Sequence, residues 1–196
     1  KEDWIIQGKD WYDKGNSLAK LGKDQEAIAC YDKALSLDSA NWGAWTNKGN
    51  SLAKLGKDEE TIVCYSQAIR LNPEDLRAWS NKGFALNKLE RYEESIRCYN
   101  QVIRFNPKDH NAWFSRGNAL ASLRKYDESI ACYDKALSLN SEDLRALFNK
   151  GNALANLKKF EESIECFNEV IEKNPEYPSA LRYKGVALKK LGRDDE

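Results

Sequence analysis

The sequence predicts an all-α solenoid of antiparallel helix hairpins, and three observations carry that reading. A glycine recurs every 34 residues at Gly15, Gly49, Gly83, Gly117, Gly151 and Gly185; each has Lys or Arg before it and Leu three residues after it; and no insertion breaks the register. A fixed period in this range marks stacked units whose helices bury their apolar faces on one another. Counting the glycine as repeat position 8, an N-terminal extension spans residues 1–7. Full units follow at 8–41, 42–75, 76–109, 110–143 and 144–177, and a truncated sixth unit at 178–196 is expected to act as a capping helix.

Within a unit, Trp45, Gly49, Leu52 and Leu55 lie on one face of a first helix, and Ile62, Tyr65, Ala68 and Ile69 on one face of a second. Between them, Leu55-Gly56-Lys57-Asp58 supplies a glycine to turn the chain and an aspartate expected to cap the second helix. That helix is expected to stop at Asn72-Pro73 or Asn106-Pro107, with the asparagine left-handed and proline unable to continue. Ser39 and Ser141 replace the proline elsewhere. Gly49 and Ala68 are small so that helices approach closely, while Trp45 and Tyr65 fill the space beside them.

These residues resemble the tetratricopeptide repeat family, whose pattern of Trp, Leu-Gly, Tyr, Ala, Phe and Pro recurs at this period. Trp11, Trp45, Trp79 and Trp113 match its tryptophan, Ala27 and Ala68 its small positions, and Tyr31, Tyr65, Tyr99, Tyr133 and Phe167 its second-helix aromatic. Leu147 and Leu181 replace the tryptophan, a basic residue precedes each glycine where leucine is usual, and leucines such as Leu52 stand in for the first-helix tyrosine. The resemblance implies a right-handed superhelix whose first helices line a concave groove that binds extended peptides or partner helices.

Composition narrows the function. Thirty-one basic residues balance 31 acidic ones, which removes the basic footprint of a nucleic-acid or acidic-membrane binder. No apolar run approaches the roughly 18 residues of a membrane span, and Trp4-Ile5-Ile6 is too short for a signal peptide. A cytoplasmic protein with neither nucleic-acid nor membrane partners is expected. The chain begins at Lys1 without a methionine and reads as a fragment or processed product.

Catalytic signals are weak. Cys30, Cys64, Cys98, Cys132 and Cys166 share one place per unit, and helices stacked about 8–10 Å apart hold them too far apart for unstrained disulfides. Buried small hydrophobes are the expected reading. One thiol per layer and a single histidine, His110, expected to face solvent, make no metal site. Glu59-Glu60, Glu93-Glu94, Asp127-Glu128 and Glu161-Glu162 fall in first turns of second helices, where negative charge complements the helix dipole. No cofactor and no enzymatic activity are expected.

Function is therefore sought on first-helix positions 2, 5, 6, 9, 12 and 13, which point away from the apolar stripe. Position 9 holds Asn16, Asn50, Asn118 and Asn152, and position 6 holds Asn47, Asn81 and Asn149, although asparagine is a poor helix former. A carboxamide pairs with an extended ligand's backbone whatever its side chains, and the pattern resembles the asparagine ladder of broadly binding tetratricopeptide proteins. Passive duplication of near-identical repeats is the alternative.

The family's carboxylate clamp, which grips an acidic C-terminus, is partly matched. Tyr12, Asn16, Asn47, Arg77 and Asn81 stand where lysine, asparagine, asparagine, lysine and arginine belong, so weak C-terminal specificity is expected. Lys9 and Arg77 at position 2 complete the candidate peptide-binding set. Lys20, Lys54 and Lys88 at position 13 offer a diffuse basic edge or plain solvated surface. Tyr12, Phe114 and Phe148 at position 5 either contact a ligand or pack on neighbouring helices.

The functional expectation is a scaffold for protein or peptide ligands. The alternatives are an array that self-assembles end to end, aided by exposed Tyr183 and Val186 with Trp4, Ile5 and Ile6 covering the other end, or the substrate-selecting arm of a larger enzyme. An RNA-reading helical repeat ranks last, because such repeats usually run to 35 residues with a basic groove.

Overall fold

A computed structural model describes residues 2–177 and 179–193, with side chains from residue 7 onward. Trp4, Ile5, Ile6, Asp194, Asp195 and Glu196, to which capping roles or a chain boundary were assigned, lie outside the described side chains. Eleven helices are described. They are α1 Glu2–Lys20, α2 Asp24–Leu37, α3 Trp42–Lys54, α4 Asp58–Leu71, α5 Leu76–Lys88, α6 Tyr92–Phe105, α7 His110–Ser122, α8 Tyr126–Leu139, α9 Leu144–Asn156, α10 Phe160–Lys173 and α11 Ala180–Lys190. Helix α1 begins ahead of the first repeat.

The helices fall into two compact units, Lys1–Phe105 and Asn106–Glu196. In the first, α1 pairs with α2, α3 with α4 and α5 with α6, and α2 packs on α3 and α4 on α5. In the second, α7 pairs with α8 and α9 with α10, α8 packs on α9, and α11 packs on α10.

One contact sets the spacing of every complete hairpin. A Cβ on Gly49 would lie 2.7 Å from the Tyr65 ring; the corresponding distances are 2.6 Å for Gly15 and Tyr31, 2.9 Å for Gly83 and Tyr99, 2.7 Å for Gly117 and Tyr133, and 2.9 Å for Gly151 and Phe167. The rings are buried, so only glycine leaves room for them. Beside this contact, Ser95 Oγ donates to the Gly83 carbonyl (2.8 Å) and Ser129 Oγ to that of Gly117 (2.9 Å). Around Gly185 nothing lies within 4 Å of such a Cβ, and Leu181 and Val186 on α11 are 63 % and 54 % exposed.

Between repeats, Ile28, Leu52 and Cys64 form one buried cluster against Trp45, and Ile62, Ala85, Leu86 and Cys98 form another against Trp79. The tryptophans also fasten the loops: Trp45, Trp79 and Trp113 donate their ring N–H to the carbonyls of Ser39, Pro73 and Pro107 (3.1, 2.9 and 3.0 Å).

The structure corrects the expected helix ends. Asp58 does not cap α4; Lys57 occupies the N-cap without a side-chain bond, and Asp58 is the first helical residue, 2.8 Å from Lys88 Nζ. Side-chain caps sit at the first helices instead, on Asn41, Asp75, Asp109 and Asp143. Asn72 is extended rather than left-handed (φ −135°), as a residue before proline should be. Its Oδ1 accepts from Glu74 N, and Asn106, Asn140 and Asn174 repeat this turn. His110 starts α7 half-buried rather than facing solvent.

Burial alone would raise the Asp143 carboxyl, but bonds from Arg145 and the N–H groups of Ala146 and Arg145 outweigh it and hold it below the usual range. Its contribution to stability is therefore present above the ordinary carboxylate pKa and lost as pH falls through the depressed one.

The tight turn within each hairpin needs a positive φ. Gly22, Gly56 and Gly192 adopt it, and so do Glu90, Arg124 and Lys158, at 58°, 60° and 63°. In each, the amide one residue on bonds back five residues, as Lys57 N does to Leu52 O.

Gly49→Ala should destabilise by about 1–3 kcal/mol in urea titration, because the methyl group must displace a buried ring. Gly185→Ala should stabilise by about 0.5–1 kcal/mol, having open space and better helix propensity. Replacing Glu90, Arg124 or Lys158 with glycine should stabilise by about 1 kcal/mol each by relieving a left-handed backbone.

Candidate functional site

The position-9 and position-6 asparagines are not free side chains on a wall. They form a repeated clip between consecutive first helices. Tyr31 Oη donates to Asn16 Oδ1 (3.0 Å), which also accepts Asn47 Nδ2 (2.7 Å). Tyr65 Oη and Asn81 Nδ2 meet on Asn50 Oδ1 (2.7 and 2.9 Å), and Tyr133 Oη and Asn149 Nδ2 on Asn118 Oδ1 (2.8 and 2.9 Å). The tyrosine is the one whose ring faces the glycine, so the core contact delivers the hydroxyl. Burial pushes the Tyr133 hydroxyl up to about 12 and raises those of Tyr31 and Tyr65, keeping all three protonated donors.

This clip fixes what the carboxamides still offer. In these three clips the position-9 oxygen is engaged and its NH2 group has no partner among the described residues, while the position-6 oxygen remains an open acceptor. Helices α3 and α9 carry both, as Asn47 with Asn50 and Asn149 with Asn152. Asn152 is unclipped: Phe167 has no hydroxyl and Tyr183 takes the next position 6.

Asn16, Asn47, Asn50 and Asn81 line a groove of about 580 Å³ in the first unit, with Ala19, Lys20, Tyr31, Ser51 and Lys54. Asn118, Asn149 and Asn152 line a groove of about 480 Å³ in the second, with Ser122, Tyr126, Tyr133, Asn156 and Tyr183 among others. Lys9, Tyr12 and Arg77 line neither. Lys9 is exposed, and Arg77 is 70 % exposed with Nε 3.7 Å from Asp75.

The position-5 rings pack inward. Tyr12 lies 6.2 Å from Tyr31, Phe114 6.1 Å from Tyr133, and Phe148 5.5 Å from Phe167 between ring centroids. Tyr12 Oη accepts a further bond from Asn47 Nδ2.

The diffuse basic edge is reduced to one unpaired cation. Lys54 stands 3.4 Å from Asp24 and Lys88 2.8 Å from Asp58, each bridging to the previous repeat, whereas Lys20 makes no ion pair among the described residues. In repeats two, four and five the basic residue before the glycine also has a role that its sequence position left unexplained. Lys48 pairs with Asp32 and Lys150 with Asp134, and Lys48 and Arg116 lie over Trp45 and Trp113. Sequence reasoning missed Phe84, which is 64 % exposed at position 9 and lines a recess of about 210 Å³ with Asn50, Asn81 and Lys88. Its signal was the break in the asparagine series.

All five cysteines are buried and free. Burial pushes the thiols of Cys64, Cys98 and Cys166 up from 9.0 to about 11 and raises that of Cys132. Among the described residues, no three His, Cys, Asp or Glu side chains are grouped to hold a metal ion, and no helix is long and apolar enough to cross a membrane.

The tetratricopeptide repeat model matches residues 43–75, 76–109, 110–143 and 144–177, and a second model, described as TPR repeat, matches 15–56. No curated protein matches the chain. Among solved structures, YrrB, described as a TPR protein with an unusual peptide-binding site, is 25 % identical, with a TM-score of 0.82 over 89 % of this chain and 90 % of its own. MamA of Desulfovibrio magneticus RS-1 is 20 % identical, with a TM-score of 0.83 over 88 % and 98 %. A tetratricopeptide repeat protein of Parabacteroides merdae ATCC 43184 is 20 % identical, with a TM-score of 0.86 over 96 % and 75 %.

A thiol reagent should leave the folded protein almost unlabelled at mildly alkaline pH and label all five cysteines on unfolding. A raised thiol pKa gives stability that is full below the unfolded value, so stability should fall as pH rises from 9.0 through about 11. Urea titration across that range checks the sign.

Proposed function

Because the chain belongs to the tetratricopeptide repeat family, we propose that it is a non-catalytic scaffold that holds extended peptide segments of protein partners in its asparagine-lined grooves. The observation that carries this reading is the orientation of the carboxamides. With Asn50 Oδ1 held by Tyr65 and Asn81, its NH2 group is left for a ligand, and one turn away Asn47 offers its oxygen. A donor and an acceptor three residues apart on α3 match the carbonyl and N–H of a peptide backbone, and α9 carries Asn149 and Asn152 at the same spacing, with the Asn152 carboxamide not held by a clip. Recognition of this kind tolerates varied side chains. The peptide-binding site ascribed to YrrB supports a peptide as the ligand class.

Tyr65 and Tyr133 act as positioning residues, since losing a hydroxyl frees the asparagine to turn its oxygen outward. C-terminal specificity is weak, because Tyr12 and Asn81 replace clamp cations and Arg77 is drawn toward Asp75. A second reading, end-to-end self-association, is favoured by the exposed Leu181 and Val186 on α11. A sedimentation coefficient that stays constant with concentration would count against it.

The test is selection of a random displayed-peptide library on the whole chain, followed by affinity measurement of enriched peptides as amides and as free acids. The two forms should bind alike. Asn152→Ala, which breaks no side-chain bond among the described residues, should weaken peptides held in the second unit about tenfold at unchanged stability, and Tyr65→Phe should weaken those in the first about tenfold while costing about 0.5–1.5 kcal/mol of stability through the lost bond to Asn50. Failure to enrich any peptide, or equal affinity for both variants and parent, would overturn the proposal.

A further inference from the structure

The two grooves repeat the same asparagines and differ in charge. In the first unit, position 13 places Lys20 and Lys54 in the lining, and no carboxylate stands among the lining residues. In the second, the same position gives Ser122 and Asn156, and Tyr126, Tyr133 and Tyr183 help close a lining without a single charge. The repeats are otherwise close copies, so this difference is a change of lining chemistry within one backbone arrangement.

Hydrogen-bond accounting sharpens the contrast. In the first groove the clip engages Asn16 and Asn50 through their oxygens, so both present NH2 donors. The Lys20 ammonium is unpaired among the described residues. Lys54 meets Asp24 at 3.4 Å and donates to the Ala19 carbonyl at 3.5 Å, and its side chain remains 57 % exposed. Donors and positive charge therefore outnumber the acceptors, Asn47 Oδ1 and Asn81 Oδ1. An anionic group relieves that imbalance, and bonds between charged partners are the stronger kind.

We infer that the first groove selects a segment bearing an acidic side chain, Asp or Glu, seated at Lys20 and Lys54, whereas the second takes an uncharged polar segment. The inference rests on the peptide reading above and adds the side-chain chemistry. The acidic group is internal to the ligand, because Tyr12 and Asn81 replace two clamp cations and Arg77 lies outside the lining of this groove.

Two acetylated, amidated peptides of serine, glycine and alanine serve as probes, one with a central Glu-Glu pair and one with Gln-Gln. Each is titrated into the isotopically labelled full chain while the asparagine side-chain amide signals are followed. The Glu peptide should shift Asn47 and Asn50 first, and the Gln peptide should shift Asn149 and Asn152 at least as readily. Lys20→Gln should weaken the Glu peptide about tenfold and leave the Gln peptide unchanged. The Glu peptide's advantage should shrink as salt is added. Ser122→Lys with Asn156→Lys, both at exposed helix C-terminal turns, should confer Glu preference on the second groove. If both peptides shift both grooves equally and Lys20→Gln changes neither affinity, the selectivity is overturned while peptide binding stands. If neither peptide shifts any asparagine, both inferences fail.

Discussion

The ring of the second-helix aromatic against the bare Cα of the position-8 glycine is the contact on which the rest of the structure depends. It fixes how closely the two helices of a hairpin approach, because a Cβ would come within 2.6–2.9 Å of the ring in every complete repeat. The same side chain carries the next level of organisation. Its face meets the glycine, and in repeats one, two and four its hydroxyl reaches the edge of the hairpin to hold the position-9 asparagine. That asparagine then accepts a bond from the following first helix. Core packing, inter-repeat attachment and the orientation of the groove's carboxamides thus pass through one residue type. The tyrosine's apolar body and polar tip suit it to all three.

Balanced composition conceals a directional use of charge. Lys48 with Asp32, Lys54 with Asp24, Lys88 with Asp58 and Lys150 with Asp134 all join one repeat to the one before it. Each pair is at least partly exposed and adds only modestly to stability. Their importance lies in register: a hairpin displaced along its neighbour would break several at once. Lys20 makes no such pair among the described residues.

The fold was legible because the 34-residue period repeats one packing solution five times and more, and an error in any single helix cannot shift the register. The helix ends were harder. Asp58 and Asn72 are residue types with two common uses each, a cap or an ion pair for one, a left-handed stop or a side-chain turn for the other. Only the position of Lys88 and the backbone angle before Pro73 decide between them. The groove positions were placed by helical spacing, and seven of the ten chosen residues line the two grooves. What spacing could not give was the partner of each carboxamide. Asn16 and Asn47 are 31 residues apart, and their contact exists only once the repeats stack.

The departures from the repeat are as informative as its regularity. If the asparagines were only relics of duplication, their loss should fall at random; if they served a ligand alone, the clip would be dispensable. Position 9 loses asparagine at Phe84 and the next position 6 loses it at Ser115, so both halves of one clip are missing together, at the repeats that flank the division between the two compact units. Paired loss is what a two-residue hydrogen bond produces, since a lone half-buried carboxamide without its partner has little reason to persist in a helix that disfavours it. Asn152 is the exception: it remains although Phe167 supplies no hydroxyl and Tyr183 no amide. A carboxamide without a side-chain bond among the described residues, on the wall of a groove, is the one to which the proposed peptide reading gives a use.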